Sequence, residues 1–421
     1  MGPSIIVELK RFKKLFIIQH LLLSMLIGLF GGPSKGKSTF FKAATLAEAA
    51  IAPYPFTTLK SSEAIAYVKV DCVETEFKVK CNPRFGYCLD AKRFVPVRLM
   101  DVPGLIQGSH QGLGRGNAFL DDLRQADLLI HIIDISGSTN ENGEAVDPLS
   151  YDPLNDVILL EKEIDLWFFG ILSKEWNKFI KHVQLEKNEI DKAIARQFSG
   201  LNINEDIVNA AFKRLNMKKE ECFSWKENDL KNLCIVLRKL SKPIIIAANK
   251  IDIPGADKNF ERLKQRFPDY LIVPCSAESE LALKEAAKKQ LIKYIPGESS
   301  FEIIGNISEQ QKDALTFIQK NVLDKYKSTG VQDILDKAVF DLLKYLAIFP
   351  GGVNKLQDSE GRYIPDCFLM PPNSTALNFA YKIHTTIGDT FIKAIDVRKK
   401  MVVGKDYKLK NRDVIEIVCS K

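Results

Sequence analysis

A glycine-rich segment, GGPSKGKS at residues 31–38, gives the most direct indication of chemistry in this 421-residue sequence. It matches the pattern G-x-x-x-x-G-K-[ST], follows the apolar run Leu26–Phe30 and precedes a helical pattern over Thr39–Ala50. In that setting backbone N–H groups wrap phosphates, Lys37 reaches the β- and γ-phosphates, and Ser38 binds Mg²⁺. The residues assigned to phosphate contact are Gly31, Gly32, Pro33, Ser34, Lys35, Gly36, Lys37, Ser38 and Thr39.

Two further segments supply groups for the γ-phosphate and its metal ion. The sequence DVPG at residues 101–104 ends an apolar run, so its carboxylate can hold Mg²⁺ through water and its glycine N–H can meet the γ-phosphate. An ordinary strand-ending turn uses the same residue types. Upstream, YPFTT at residues 54–58 offers a threonine hydroxyl, and we favour Thr58. We expect Mg²⁺ at Ser38, Thr58 and Asp101, and catalytic phosphate contacts from Lys37, Thr58 and Gly104.

The base is predicted from NKID at residues 249–252, which again follows an apolar run. A fixed carboxylate at Asp252 can accept hydrogen bonds from N1–H and the 2-amino group of guanine, whereas adenine has neither donor. The sequence CSAE at residues 275–278 offers a backbone N–H for the guanine oxygen. The nucleotide contacts assigned here are Asn249, Lys250, Asp252, Ser276 and Ala277.

Short apolar runs alternate with helical patterns from Met25 onwards, which predicts a largely parallel sheet with helices on both faces, an α/β fold. The predicted strands are Leu26–Phe30, Ile65–Val70, Val95–Met100, Leu128–Ile135, Pro243–Ala248 and Tyr270–Val273. The phosphate, metal and base segments each follow one of these strands. Such an arrangement brings them to one edge of the sheet.

Two regions depart from this alternation. Residues 137–240 show charged, amphipathic helix periodicity through Val157, Leu160 and Ile164, which predicts a helical insertion. A second helical stretch is predicted from Leu281 to Tyr345, and the tail from residue 346 returns to short strands around one helix. The predicted domains are therefore 25–136 with 241–345, the insertion 137–240, and the tail 346–421.

The first 24 residues contain a basic stretch that leads into an apolar run, a pattern shared by signal peptides and membrane anchors. The run from Leu15 to Phe30 carries Gln19 and His20, and its last residues are needed as the first strand. A bilayer-spanning helix needs about 20 apolar residues. We therefore expect residues 1–24 to lie outside the fold and expect no stable membrane insertion.

Composition narrows the class of protein. A hydrophobic content of 46% with 27% charged residues excludes a mostly disordered chain. Eight cysteines without paired spacing suggest a reducing compartment, by default the cytoplasm. Cys72, Cys81 and Cys88 lie close in sequence but form no C-x-x-C pair, so a loop carrying free thiols is favoured over a metal site.

The segments YPFTT and DVPGLIQGSHQGLGRGNAFLDDLRQAD resemble the Obg-type GTPases, and more closely their YchF branch in archaeal form. The resemblance covers nearly all of residues 25–420. It implies a P-loop GTPase sheet with a helical insertion and a C-terminal TGS domain, a small β-grasp module marked by MPPNSTALNFAYKIHTTIGDTF at residues 370–391. It also implies association with the ribosome or RNA, and it makes GTP or GDP with Mg²⁺ the expected ligands.

Some residues depart from the family pattern. Relatives with a degenerate base motif prefer ATP, whereas NKID here favours GTP. Ser34 stands where relatives often have Asn, which puts a potassium-assisted mechanism in doubt. Leu105 replaces the glutamine that orients the attacking water in many GTPases, so another group, a partner or a dimer contact must do so. Gln107 and His110 are nearby candidates.

The tail is basic: residues 373–421 hold ten Lys and Arg against five Asp and Glu, +5 of the chain's net charge of +7. This charge favours contact with ribosomal RNA, with tRNA as a second RNA partner and no DNA, although a merely solvated basic surface remains the alternative. Three functions stay open at this point. They are a GTP-hydrolysing switch on the ribosome, an ATP-preferring hydrolase, and an RNA-binding adaptor with little hydrolysis.

Overall fold

Seven strands within the described residues form the first sheet. The computed structural model describes residues 25–46, 63–102, 122, 124–186 and 189–420. The strands are β1 (Leu26–Phe30), β2 (Glu63–Asp71), β3 (Tyr87–Leu89), β4 (Lys92–Asp101), β5 (Leu128–Asp134), β6 (Ile244–Asn249) and β7 (Leu271–Pro274). Their order is β2-β4-β1-β5-β6-β7, with β3 pairing to β4. This architecture confirms the predicted α/β class.

The centre of this sheet is parallel, as predicted, and one side is not. β4, β1, β5, β6 and β7 run parallel, and their apolar residues are buried because helices cover both faces. β2 pairs with β4 antiparallel from Glu63 to Asp71, and β3 extends the same ribbon. Strand pairing directions are set by the connections, so the periodicity of β2 alone did not reveal this reversal.

Helices of two kinds follow the strands: some flank the first sheet and others build the insertion. They are α1 (Lys37–Thr45), α2 (Leu154–Ser173), α3 (Trp176–Leu185), α4 (Ile190–Gln197), α5 (Glu205–Leu215), α6 (Glu227–Ser241), α7 (Ala256–Arg266) and α8 (Ala277–Lys288). Helix α1 begins at Lys37, two residues earlier than expected from the sequence. Helix α8 packs beside α1, where the buried Lys284 ammonium donates to the carbonyl of Ala43 at 2.8 Å.

The insertion is held by its own apolar cluster. Leu160, Ile164 and Phe168 of α2 are buried against residues of α4, α5 and α6, and all three tryptophans of the chain belong to this cluster. Three-and-four spacing along α2 places these side chains on one face. The cluster also contains Leu26, Phe30 and Met100 of the first sheet, so the insertion packs on that sheet.

The stretch predicted to be helical from Leu281 to Tyr345 contains a hairpin, so that part of the prediction is wrong. After α8 the chain forms β8 (Ile292–Tyr294) and β9 (Phe301–Ile303), which pair antiparallel. Pro296 and Gly297 lie between the two strands, and Gly297 has φ +80°. Helices resume at α9 (Glu309–Ile318), α10 (Asp324–Tyr326) and α11 (Val331–Asp336). Three-residue strands are too short for alternation to be detected in the sequence.

The tail forms a second, five-stranded sheet in the order β11-β10-β14-β12-β13. Its elements are β10 (Leu346–Pro350), β11 (Phe368–Met370), α12 (Ala376–Ile383), α13 (Thr385–Asp389), β12 (Phe391–Asp396), β13 (Met401–Val403) and β14 (Val414–Cys419). Thr375 and Asn378 form a capping box that starts α12. Among the described residues no helix is both long and apolar enough to cross a bilayer.

Ion pairs join this second sheet to the first. Glu76, just after β2, pairs with Arg398 and with Arg412, each at 2.5 Å. Arg412 also donates from Nε to the carbonyl of Asp71 at 3.0 Å. Two of the arginines expected to form a basic face are therefore engaged within the molecule.

Candidate nucleotide site

The glycine-rich segment connects the end of β1 to α1, at the carboxyl end of the parallel strands. Gly36 has φ +90°, and a Cβ there would lie 2.2 Å from Nδ2 of Asn249. Gly31 is similarly restricted, because a Cβ would lie 2.3 Å from the carbonyl oxygen of Ile132. Glycine is thus required at both positions, because residues of β5 and β6 lie too close to leave room for a Cβ atom. This packing holds the loop that the sequence assigns to phosphate binding.

Lys37 and Asp101 face each other across the site. The Lys37 ammonium donates to Asp101 Oδ1 at 2.6 Å, and both side chains keep some exposure. The pair is adjacent because β1 and β4 are parallel neighbours, with Leu29 opposite Asp101. The structure therefore brings together the residue assigned to the β/γ-phosphates and one assigned to Mg²⁺.

The side chain of Lys35 has a structural role that the sequence did not indicate. Its side chain is fully buried, donates to the carbonyl of Thr139 at 2.9 Å and pairs with Asp156 at 2.9 Å. Burial and then the charge of Lys35 lower the pKa of His131 to about 3, so that imidazole is neutral. The ammonium points into the protein, so only the Lys35 backbone can contact phosphate. Its side chain joins the loop to α2 of the insertion.

Asn249 bridges two loops of the site. Its Nδ2 donates to the carbonyl of Lys35 at 3.0 Å, and its Oδ1 accepts from the N–H of Ala277 at 3.0 Å. The side chain is buried, and both of its polar atoms are used. Asn249 therefore fixes the phosphate loop against the start of α8, and its assigned contact with the nucleotide stays a prediction.

The N–H groups at the start of α8 have different acceptors. The N–H of Ala277 is occupied by Asn249, and that of Ser279 is accepted by Ser276 Oγ at 3.4 Å. The first N–H groups of a helix have no intrahelical acceptor. Within the described residues no acceptor is found for the N–H of Glu278. Glu278 therefore offers an N–H beside that of Ala277, whose assigned contact with the nucleotide stays a prediction.

Lys250 contacts a carboxylate that the sequence analysis did not identify. Its ammonium donates to Asp134 Oδ2 at 2.9 Å, at the end of β5. Burial acts to raise the pKa of Asp134, but hydrogen bonds from Ser136, Lys250 and Thr139 outweigh it and the net pKa is lowered. Asp134 thus stays ionised and orders the loop that follows β5. Its position at a strand end, like that of Asp101, was the signal available in the sequence.

Asp252 is accessible to a ligand. Its side chain is half-buried and forms no hydrogen bond or ion pair with another described residue. It lies two residues after Lys250, whose backbone is in the left-handed region. Ile251 holds the turn, because its N–H donates to the carbonyl of Cys275 at 3.1 Å. The β6 and β7 loops therefore present one open carboxylate beside the start of α8.

The remaining assigned residues divide into two groups. Ser38 is exposed in the first turn of α1, and Asp101 offers a second oxygen, a donor set that suits Mg²⁺. Gly32, Pro33, Ser34 and Thr39 belong to the same loop and helix start. Thr58, Gly104, Leu105, Gln107 and His110 lie outside the described residues, so their predicted roles stay predictions.

Three family models match the chain. The model described as 50S ribosome-binding GTPase matches residues 26–162, an Obg-like GTPase YGR210-like, G4 motif-containing domain matches 247–352, and the TGS domain matches 359–419. The first two contain the phosphate loop and the base motif, respectively. These matches do not fix the predicted domain boundaries at residues 136, 240 and 345, which stay predictions.

Similar proteins carry the same organisation along nearly their whole length. A GTP-binding protein of Methanocaldococcus jannaschii is 49% identical, covering 93% of this chain and 98% of its own. Another GTP-binding protein, from Schizosaccharomyces pombe, is 33% identical, covering 84% of this chain and 88% of its own. A solved GTP binding protein from Pyrococcus horikoshii OT3 has a TM-score of 0.75 at 36% identity, covering 94% and 100%. The chain therefore belongs to the Obg-like P-loop GTPases, in the YchF-type group of GTP-binding proteins that carry a C-terminal TGS domain.

Proposed function

We propose that this GTPase binds GTP with Mg²⁺, hydrolyses it slowly to GDP and phosphate, and acts as a ribosome-associated switch in the cytoplasm. The observation that carries the proposal is the convergence of the Lys37–Asp101 pair and the open Asp252 carboxylate at one edge of the sheet. Ser38, Asp101 and the predicted Thr58 would hold the metal ion. Bound Mg²⁺ would neutralise charge that develops on the phosphates.

The Lys37–Asp101 ion pair is expected to couple nucleotide binding to metal binding. Lys37 and Asp101 neutralise each other at 2.6 Å. An incoming triphosphate would take over the ammonium, and Asp101 would then be free to hold the metal through water. Nucleotide and Mg²⁺ are therefore expected to bind cooperatively. Removing Asp101 alone is expected to weaken the dependence on Mg²⁺ more than the affinity for GDP measured without the metal.

The choice of GTP over ATP follows from Asp252. Guanine presents N1–H and a 2-amino group to the carboxylate, whereas adenine would leave it unpaired, a difference that can reach 10⁴-fold or more. We expect at least about tenfold tighter binding of GTP than of ATP in a competition titration. Equal affinities would favour the alternative of an ATP-preferring hydrolase.

A variant with an altered preference for the purine base gives a second test of the role of Asp252. Asp252→Asn loses the carboxylate that accepts both guanine donors, but its amide can donate to the C2 oxygen of xanthine. We expect weaker GTP binding and a gain in xanthosine triphosphate binding. A variant with a damaged site would bind neither GTP nor xanthosine triphosphate. A gain in xanthosine triphosphate binding therefore distinguishes altered base recognition from misfolding.

The proposed RNA contact is supported by exposed residues of the second sheet. Lys393, Lys400, Lys405 and Lys410 are exposed and form no ion pair with described residues. On neighbouring β12 and β13, Ile392, Met401 and Val402 are also exposed, with 57% of Val402 accessible. Unpaired cations beside exposed apolar side chains suit a partner that offers both phosphates and bases.

Ribosome co-sedimentation tests this contact. Replacing the four lysines by glutamine is expected to weaken association and to reduce the salt slope by about one for each lost phosphate contact. The matched control replaces Lys174, Lys181, Lys213 and Lys239, four exposed lysines of the insertion. Arg398 and Arg412 are left intact, because they also join the two sheets. An unchanged slope in the tail variant, with a reduced slope in the control, would assign the contact to the insertion.

An adaptor with a vestigial nucleotide site is the second alternative. It would bind ribosomes equally well with GTP, with GDP or without nucleotide. The intact Lys37, Ser38 and Asp101 argue against it. Comparing co-sedimentation in the three states distinguishes the adaptor from the switch, because a switch requires different affinities for its partner in different states.

A further inference from the structure

Four potential metal ligands come together on the antiparallel ribbon of the first sheet, outside the set of residues assigned to the nucleotide. We call them the Cys₃Glu cluster: Cys72, Glu74, Cys81 and Cys88. Their ligand atoms, three sulfurs and a carboxylate oxygen, all lie within 4.8 Å of one another. The sequence pattern is C-x-E-x₆-C-x₆-C, which contains none of the close cysteine pairs that usually indicate a zinc site.

The ribbon itself explains how widely spaced residues meet. Cys72 directly follows β2, Cys88 lies in the middle of β3, and both strands pair with β4. Between them, Val73–Thr75 forms one 3₁₀ turn, and the chain returns through Cys81. The Glu74 carboxylate accepts from the N–H of Cys81 at 2.7 Å, which fixes the two ligands relative to each other. The cluster is therefore preorganised by backbone structure.

Burial and charge identify what this cluster suits. Cys72 is 1% exposed and Cys81 is 8% exposed. A carboxylate beside three thiols contributes nothing to a disulfide and repels any thiolate, so its presence favours a central cation. Three thiols also leave one without a partner if two of them form a disulfide. The donor set, three soft sulfurs and one oxygen, is that of a thiophilic divalent cation.

Arg93 provides a second, independent observation. It is 1% exposed, and its guanidinium lies 3.9 Å from the sulfur of Cys81. Its other acceptors are the carbonyls of Ile364 and Pro365, which carry no charge, and no described carboxylate lies within ion-pair distance. A buried cation requires a counter-charge. Three thiolates and a carboxylate around a divalent ion leave a net charge of −2, which Arg93 partly balances.

We propose that the Cys₃Glu cluster binds one Zn²⁺ ion as a closed structural site. In a regular tetrahedron with Zn–S bonds of about 2.3 Å, ligand sulfurs lie about 3.8 Å apart. The observed separations need to contract by 1 Å or less. Because the protein supplies all four ligands, no position stays open for water or substrate, and the role is structural rather than catalytic.

The site lies where the ribbon contacts the segment that connects β10 to β11 of the second sheet. Asn82 donates from its N–H to the carbonyl of Tyr363 at 2.9 Å, and Arg84 does the same to Pro365 at 2.8 Å. Arg84 also pairs with Asp358 at 3.2 Å. A metal ion that orders residues 72–88 would therefore order the surface on which the TGS domain rests. Loss of metal is expected to expose residues 353–367 to limited proteolysis.

Metal analysis of the full-length protein tests the proposal. Protein purified without chelators is expected to hold one zinc per chain, measured by mass spectrometry of the elements. Cys81→Ser and Cys88→Ser are expected to lose it, whereas Cys419→Ser, which changes a half-exposed cysteine of β14, should retain it. Glu74→Gln should weaken the affinity more than about tenfold without abolishing binding.

A spectroscopic measurement covers the case in which a serine variant fails to fold. Apo protein without nucleotide is titrated with Co²⁺, which reports tetrahedral thiolate ligation through intense visible bands and displacement by Zn²⁺. One equivalent with these bands supports the site. Absence of the bands in folded apo protein, unchanged zinc in Cys81→Ser, or a disulfide within the cluster in protein purified under reducing conditions would overturn the proposal.

Discussion

Replacing Lys35 by methionine is expected to destabilise the protein although the residue lies in the phosphate loop. The ammonium is fully buried, and its partner Asp156 is 7% exposed. Removing one member of a buried pair typically costs about 3–5 kcal/mol, because the other charge stays buried. Tyr151 still donates to Asp156 at 3.0 Å, and the carboxyl can take up a proton, so we expect about 3 kcal/mol.

The pH dependence of this loss has a definite sign. Burial raises the pKa of Asp156 more than Lys35 lowers it. Without Lys35 the pKa of the carboxyl rises further, so the protonated form is favoured in the fold. A carboxyl with a raised pKa stabilises the fold at low pH and loses that contribution as the pH increases. The cost of Lys35→Met should therefore be larger at pH 8 than at pH 5.5.

Urea unfolding followed by tryptophan fluorescence measures the effect. Trp167 lies on α2, the same helix as Asp156, so the signal reports on the region where the charge is left. The double variant Lys35→Met with Asp156→Leu should recover most of the loss, because an apolar pair replaces the ionic one. The control is Lys178→Met, which breaks an exposed pair with Glu175 and should change stability by about 0.5 kcal/mol or less. A loss below about 1 kcal/mol for Lys35→Met, or strict additivity in the double variant, would refute the reasoning.

Three other predictions concern the site and its support. Gly36→Ala should reduce GDP affinity more than about tenfold in a fluorescent-nucleotide titration, because its Cβ would overlap Asn249 at a backbone angle unfavourable for alanine; unchanged affinity would contradict it. Burial raises the pKa of Asp336 to about 7, so the free energy of unfolding should fall by up to about 4 kcal/mol as the pH rises from about 4 to 7. Asp336→Asn should flatten that pH dependence in thermal melts. Leu105→Ala should slow GTP hydrolysis far less than Lys37→Ala, which removes a charge from the phosphates; equal losses in folded, GTP-binding variants would show that Leu105 is required.

The sequence was informative wherever a motif carried its own strand and helix. The Leu26–Phe30 strand was predicted to the residue, and the other predicted strands agree within a few positions. Long buried strands have dense apolar runs, which is why they were recognised. The β8–β9 hairpin was missed because its strands are three residues long and alternate with charged residues.

Side-chain directions could not be predicted in the same way. The spacing of the phosphate loop identifies Lys37 as the lysine that reaches the phosphates, but nothing in it distinguishes an inward from an outward direction for the side chain of Lys35. That distinction depends on Asp156 of the insertion, more than one hundred residues later in the chain. The Cys₃Glu cluster is a similar case, because the fold of the ribbon, rather than close sequence spacing, brings its members together.

The position of Glu76 between Arg398 and Arg412 has a thermodynamic consequence for any polyanion that approaches the TGS domain. Phosphates that engage these arginines must compete with a carboxylate already in contact with both. Partly exposed pairs of this kind are each worth about 1 kcal/mol or less, so the competition lowers polyanion affinity by up to about thirtyfold. By reciprocity, a bound polyanion loosens the second sheet from the first by the same factor. Glu76→Gln should therefore strengthen polyanion binding and weaken the contact between the two sheets together, which links docking to the stability of that contact through one side chain.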